Sequence, residues 1–386
     1  MRTMTDSSAY ARIPFNEAVP VGNELKYLAE AIQQGHISGN GPFTQRAERL
    51  LAQISHSPDV LMTSSCTHAL ELAARLLDLG PGDEVIVPAY TFVSTAAAFA
   101  LTGARPIFVD VSPRTLNLDV EAVAAAITAR TRAICTVHYA GIAQGVDELA
   151  SICSRMNIPL VEDNAHGLGG YFNDQALGTF GTLSTMSFHE TKNVTCGEGG
   201  ALGLNATNYV ERAEVLREKG TNRNQFLRGQ VDKYTWVEIG SSWVPSDMLA
   251  AFLVGQLEVF DNIQERRLSI WRSYSDQLSA WSDFNGIRMP YVPEGARHPA
   301  HMFYLQFPHL ETRSRFIDHM NENGILAVFH YQALNESPIG QSLGGHVGQC
   351  PVAERASRTL VRLPLFSSMT SEQVERVIAG ALSFKG

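Results

Sequence analysis

A chain of 386 residues, 45% apolar and 18% charged, has enough apolar surface for a substantial core and is too long for one small domain. A formal net charge of −9, with no long run of like charge, speaks against nucleic acid, which calls for a basic face, and against an interaction tail. The Ala-rich stretch 96–104 is too short for a membrane span and is broken by Thr102 and Gly103. The opening MRTMTDSSAYARIPF lacks the apolar centre and small-residue cleavage site of a leader. The cysteines (Cys66, Cys135, Cys153, Cys196, Cys350) are odd in number and scattered, without disulfide-framework or metal spacing. The expectation is a cytoplasmic protein with a small-molecule task, no bound metal, no membrane and no nucleic acid.

In chain order, residues 84–88, 106–111, 133–138, 159–163 and 185–188 read as short buried strands. Helical spacing fills the segments between them, as at 67–79 and 119–129. Strands alternating with helices predict an α/β fold with a mostly parallel sheet covered on both faces. Gly80-Pro81-Gly82-Asp83 is a turn by composition, and Gly141 and Gly170 mark further breaks. From about residue 245 the pattern changes. Ser246 and Asp247 are positioned to cap a long connecting helix that carries Leu249, Phe252, Leu253, Leu257, Phe260 and Ile263 on one face and runs toward Leu278. Strands at 302–307 and 325–330 and helices at 312–323, 352–360 and 370–384 follow, the last with a Thr370/Gln373 capping box. The expected division is a large α/β unit over 1–255 and a connecting helix with a small α/β unit over 256–386.

Four stretches carry chemistry, each at the end of a predicted strand, where open α/β sheets bind ligands. Thr63-Ser64-Ser65-Cys66-Thr67 precedes a helix and suits a phosphate, though taken alone it reads first as an ordinary N-cap. Pro88-Ala89-Tyr90-Thr91-Phe92 places aromatic rings after a strand, as core or as a stacking surface for a planar ligand. Val161-Glu162-Asp163-Asn164-Ala165-His166-Gly167 ends a buried strand with acids that must be paired, a protonated pyridine nitrogen being one suitable partner. The fourth stretch is SFHETKNVTCGEGG, residues 187–200. It holds Lys192, one of only five lysines against 25 arginines, ahead of Gly197, Gly199 and Gly200. A lysine there is either a solvated loop residue or an amine kept as a Schiff-base nucleophile. Phosphate turn, aromatic ring, strand-end aspartate and lysine, in that order, are the parts needed to hold pyridoxal phosphate (PLP). HETK is not H-E-x-x-H, and neither a P-loop nor a G-x-S-x-G elbow is present.

The motifs TSSCTHALELAA, PGDEVIVPAYTFVSTA, VEDNAHG, SFHETKN, GEGGAL and SDMLAAF resemble those of the DegT–DnrJ–StrS group of PLP-dependent sugar aminotransferases, from about Ile13 to Phe384. The resemblance implies the aspartate-aminotransferase type I fold and a homodimer with shared active sites. It implies Lys192 as the Schiff-base lysine, Asp163 as the partner of the pyridine nitrogen, Phe92 stacked on the cofactor ring and His166 near the ring hydroxyl. Cys66, Thr67 and Ser187 would hold the phosphate. Relatives commonly carry Asn-Tyr-Arg where this chain has Ser242-Trp243-Val244, and their Asn reaches the cofactor phosphate of the neighbouring subunit, the role that falls here to Ser242. Tyr139, Tyr234, Trp236, His330 and Tyr331 are the implied sugar-nucleotide contacts. The implied reaction moves an amino group from glutamate to C4 of a TDP-4-keto-6-deoxyhexose. Amination at C3, and a PLP-binding regulator without turnover, are the alternatives.

Overall fold

The structure, a computed structural model, describes residues 12–385. The stretch 1–11, on which most of the leader reading rests, lies outside the described residues. The large sheet has seven strands: β1 (Asp59–Thr63), β2 (Glu84–Pro88), β3 (Arg105–Val109), β4 (Thr131–Val137), β5 (Leu160–Asp163), β6 (Leu183–Ser187) and β7 (Gly200–Leu204). Their spatial order is β1-β7-β6-β5-β4-β2-β3. Strand β7 alone runs against its neighbours, pairing antiparallel with β1 and β6, while the remaining pairs are parallel.

The five expected strands fall within two residues of β2 to β6. The sequence reading missed β1 and β7. Strand β7, GALGL, has the composition of a turn, but its glycines answer to space rather than flexibility. A Cβ on Gly200 would lie 2.3 Å from the backbone nitrogen of Cys66, and one on Gly203 would lie 2.4 Å from Ser184 Oγ.

Helices cover both faces. Cys66–Leu76 and Val93–Ala100 bury Leu70, Leu72, Ala73 and Phe99 on one side. On the other, Glu24–Gln33, Pro42–Ser55 and Asp247–Leu257 enclose Met62, Met186 and Phe188. A further cluster packs β2 to β5 against Val120–Ala126 and Val146–Met156 through Ile86, Ile134, Leu149 and Leu160.

The connecting helix is not continuous. It is two helices, Asp247–Leu257 and Phe260–Phe284, broken at Glu258 and Val259. The expected boundary after residue 255 falls in the last turn of the first. Ser246 caps as expected, its hydroxyl accepting from the amide of Leu249. Asp247 does something else. Its fully buried carboxylate accepts from the amides of Phe43 (3.2 Å) and Thr44 (2.7 Å) and from the Thr44 hydroxyl (2.7 Å). It therefore caps Pro42–Ser55 from outside, at a helix start where Gly41 has no side chain to offer. A Cβ on Gly41 would come within 2.5 Å of that carboxylate, so the glycine makes room for the remote cap.

The long helix buries Ile270, Trp271, Tyr274 and Leu278 against a second core around a three-stranded antiparallel sheet. Its strands are β8 (Phe303–Gln306), β9 (Val328–Phe329) and β10 (Leu360–Leu363), in the order β8-β10-β9. Ile13 joins this core by bridging to Ile325. The helices Leu310–Glu322, Pro351–Thr359 and Ser371–Ser383 match expectation, and the Thr370/Gln373 capping box is present. Strand β10 was not foreseen, because its first residue reads as the last of the preceding helix.

Replacing Asp247 with Ala strands two buried amides and a hydroxyl, and is expected to cost about 1–3 kcal/mol. Urea unfolding that matched the parent within ~0.5 kcal/mol would contradict the remote-cap account.

Candidate active site

The site forms where the carboxyl ends of β1, β2, β5 and β6 meet the second core. After β1, Ser65 caps Cys66–Leu76 by accepting from the amide of His68 at 3.1 Å. The amides of Cys66 and Thr67 lie in the first turn, where no intrahelical carbonyl reaches them, and they point positive dipole density into the cavity. Gly200 lets β7 press directly against this turn.

After β2, Phe92 stands at the start of Val93–Ala100 with 55% of its surface exposed, its ring centroid 5.9 Å from that of Tyr331. From the same helix Thr95 Oγ1 donates to Asp163 Oδ2 at 2.7 Å, and Thr91 supports Thr95 at 2.8 Å. Asp163 ends β5, and its other oxygen accepts from the amide of Ala165 at 3.2 Å. Burial pushes its carboxyl above the usual carboxylate range, against the lowering effect of those hydrogen bonds and of Lys192 and His138. Its neighbour Glu162 points away and is spent on structure, accepting from the amides of Gly178 and Gly181 and pairing with His138 at 2.7 Å.

Lys192 sits in the loop between β6 and β7. The hairpin register, Ser187 opposite Gly200, pins both ends of that loop. Inside it, Phe188 and Gly199 pair, Glu190 bonds to Gly197, and Gly197 turns at φ 86°. Burial lowers the Lys192 amine from 10.5 to about 8, Arg362 adding to the fall while Cys66 and Asp163 oppose it.

His166 stacks on His301 with centroids 4.3 Å apart and planes 18° apart. His301 Nδ1 meets Asn193 Oδ1 at 3.0 Å, and Asn193 is held by Gln264 (2.9 Å) and the carbonyl of Pro299 (2.7 Å). Burial drives both histidines well below the usual imidazole range, so each is neutral near pH 7.

A cavity of about 400 Å³ brings together Cys66, Thr67, Phe92, Asp163, His166, Ser187, Lys192, His330 and Tyr331 from the sequence reading. The other expected residues lie outside it. Tyr139 is wholly buried behind the wall, its hydroxyl 3.0 Å from His330 Nδ1. Tyr234, Trp236 and Ser242 are exposed elsewhere on the chain, Ser242 in a bridge to Glu218. The cavity residues missed include Thr95, His301 and Arg362. Arg362 had one signal, a charge between Val361 and Leu363 in the apolar run LVRLPLF. His301 had none.

Among the described residues no cluster of His, Cys, Asp or Glu is arranged for a metal ion, and no helix is long and apolar enough to cross a membrane. All five cysteines are free.

The chain matches the DegT/DnrJ/EryC1/StrS aminotransferase family over residues 21–381. Among solved structures it is similar to the aminotransferase TlmJ of Streptoalloteichus hindustanus (29% identity, 97% of this chain and 98% of that one, TM-score 0.89). It is similar also to a Streptococcus pneumoniae protein assigned as a sugar aminotransferase and solved in a PLP form (26%, 96% and 98%, 0.89). A third neighbour is 3-amino-5-hydroxybenzoic acid synthase (29%, 96% and 98%, 0.87). The protein therefore belongs to the DegT/DnrJ/EryC1/StrS aminotransferase family. The expected fold is met, and with it the cofactor, PLP.

The residues present fit that cofactor. Asp163 is a buried carboxylate that neighbours only a hydroxyl and an amide within hydrogen-bonding reach, and a pyridine nitrogen that carries a proton is the cation it lacks. His166 Nδ1 is a buried polar atom with no partner among the described residues, free for a ring hydroxyl.

Two outcomes follow from this geometry. Because the Lys192 amine is lowered, its neutral form is present above about 8 and is lost as pH falls below it. Amine-selective labelling of Lys192 in cofactor-free protein, read by peptide mass, is expected to rise with a midpoint near 8; a midpoint at the ordinary 10.5 would sink the assignment. Gly200→Ala is expected to displace the Cys66 turn, lowering stability by about 1–3 kcal/mol and weakening PLP, as followed by absorbance titration. Unchanged PLP affinity would show that this turn does not hold the phosphate.

Proposed function

We propose that this protein transfers an amino group from glutamate to C4 of a TDP-4-keto-6-deoxyhexose, giving a TDP-4-amino-4,6-dideoxyhexose. The observation that carries the aminotransfer chemistry is Asp163 and the lowered amine of Lys192 on one cavity, across from the start of Cys66–Leu76. The sugar assignment draws on resemblance: the runs REKGTNRNQFLRGQVDKYTW at 217–236 and AVFHY at 327–331 are similar to dTDP-4-amino-4,6-dideoxygalactose transaminase.

When bound, PLP supplies an electron sink for the negative charge left at the carbon that loses its proton. Asp163 would keep the pyridine nitrogen protonated, and Thr95 holds Asp163 in place. Phe92 would cover the ring, and His166 would serve its hydroxyl. The amides of Cys66 and Thr67, with Ser187, would take the phosphate. The amine of Lys192 would hold the group, and its Nζ would remove the proton from the donor Cα and later return a proton to the sugar carbon that receives nitrogen. An amine titrating near 8 serves both directions, being part neutral and part protonated at working pH.

His330 and Tyr331 border the cavity and are the proposed sugar contacts within one chain. Phe226, Leu227, Trp236, Val237 and Ile239 leave large apolar side chains exposed around Tyr234. That exposure supports a homodimer in which this loop and Ser242 reach the partner's site. The free cysteines are in keeping with the expected cytoplasmic setting.

Incubation with the TDP-4-keto-6-deoxyhexose and ¹⁵N-glutamate is expected to place the label at C4, with NMR reading the configuration there. Label only in a 3-keto substrate would move the reaction to C3. No transfer to either sugar, with PLP bound, would favour a regulator.

A further inference from the structure

Asn193 follows Lys192 directly, and both polar atoms of its side chain have partners. The amide nitrogen stands 2.7 Å from the carbonyl of Pro299 and 2.9 Å from Gln264 Oε1. A backbone carbonyl only accepts, so the atom facing Pro299 is the NH2 group, and these two acceptors use both of its hydrogens. The Asn193 oxygen faces His301 Nδ1 at 3.0 Å and has no hydrogen to give. His301 is therefore the donor, with its proton on Nδ1 and its lone pair on Nε2.

These partners are themselves held firmly. Gln264 is 9% exposed on the helix Phe260–Phe284, and His301 is 3% exposed. The buried Arg267, on the same helix, donates to the carbonyl of His301 at 2.7 Å. None of these groups belongs to the hairpin of β6 and β7 that carries the lysine. That hairpin fixes the ends of the loop, whereas the Lys192 amide bonds only within it, to the carbonyl of His189 at 2.9 Å. Consecutive Cα atoms lie about 3.8 Å apart, so pinning the side chain of Asn193 pins the root of the lysine side chain.

We propose that His301 is a positioning residue for Lys192, acting through Asn193: its Nδ1–H locks the Asn193 side chain and so sets where the lysine amine stands. The inference rests on the aminotransfer reading above and adds the group that places its proton carrier. A lysine stem is flexible and brings no rigidity of its own. A misplacement of about 1 Å costs on the order of a hundredfold in rate. A direct contact from Nε2 to donor or sugar would act on binding instead, and the two roles separate in kinetics.

Two substitutions divide what the ring supplies. His301→Phe keeps a flat ring against His166 and loses the Nδ1–H. His301→Asn loses the ring but carries an amide N–H on Cγ, close to the place of the lost donor. In cofactor-free His301→Phe, condensation of the Lys192 amine with the PLP aldehyde, which releases water, is expected to slow about tenfold by stopped-flow absorbance. In the PLP-loaded variant, kcat with glutamate is expected to fall about thirtyfold while KM for glutamate changes less than about threefold. The isotope effect with α-deuterated glutamate rises, because proton removal becomes the slow step. His301→Asn recovers most of both rates. Thermal melting reports whether each variant is folded; should His301→Phe not fold, Gln264→Met, which removes one acceptor of Asn193, decides by the same readouts. A folded His301→Phe at parent rates overturns the proposal, as does an equal loss in both His301 variants or a loss confined to KM. Failure of the parent enzyme to take nitrogen from glutamate would overturn the aminotransfer reading, with the condensation rate still testing this inference. Full turnover in the parent with both rates indifferent to His301 would remove this inference alone.

Discussion

A carboxylate buried without a cation of its own governs this structure. Asp163 ends a strand in the middle of a seven-stranded sheet, itself buried, with only Thr95 and the Ala165 amide within hydrogen-bonding reach. Desolvation raises it, and burial likewise lowers Lys192, His166, His301 and Arg362. Each of these groups except Arg362, whose guanidinium keeps its proton, is pushed toward its neutral form. A ligand with a protonated ring nitrogen relieves that tension at Asp163. The cavity is thus electrostatically incomplete, which is the condition for binding charged groups tightly.

Geometry delivers the other parts through ordinary sheet rules. Parallel strands with helical crossovers put the ends of β1, β2, β5 and β6 on one edge, so a helix start, an aromatic ring, an acid and an amine converge from segments over a hundred residues apart in sequence. The one antiparallel strand, β7, has a particular use. By returning beside β6 it ties down both ends of the lysine loop, and its Gly200 lies against the turn that presents the amides of Cys66 and Thr67. Lysine and phosphate turn are therefore positioned by the same strand.

The second core contributes the far wall. His330, Tyr331 and Arg362 come from the region around β9 and β10, and His301 precedes β8. His301 is fixed from two sides: Asn193 follows the lysine directly, and the buried Arg267 donates to the carbonyls of Ala300 and His301. The stacked histidine pair thus joins the aspartate strand to the second core.

Much of this was legible in the chain itself. Five strands, their helices and the order of phosphate turn, ring, aspartate and lysine follow from local patterns, because short apolar runs, caps and glycine turns are short-range physics. The family followed from motifs of the same kind. The strand β7 was hidden because its glycines serve close packing across the sheet, and Asp247 was misread because the helix it caps begins two hundred residues earlier. The remote aromatics Tyr234 and Trp236 and the buried Tyr139 could not be sorted from true cavity residues by pattern, since spacing does not report which way a loop folds back. Sequence alone determined the chemical groups and their order along the chain. Only the tertiary structure decided which of them share one cavity, and that Arg362 lines it with no hydrogen-bond partner among the described residues, because burial and missing partners belong to the folded surroundings and not to any local run of residues.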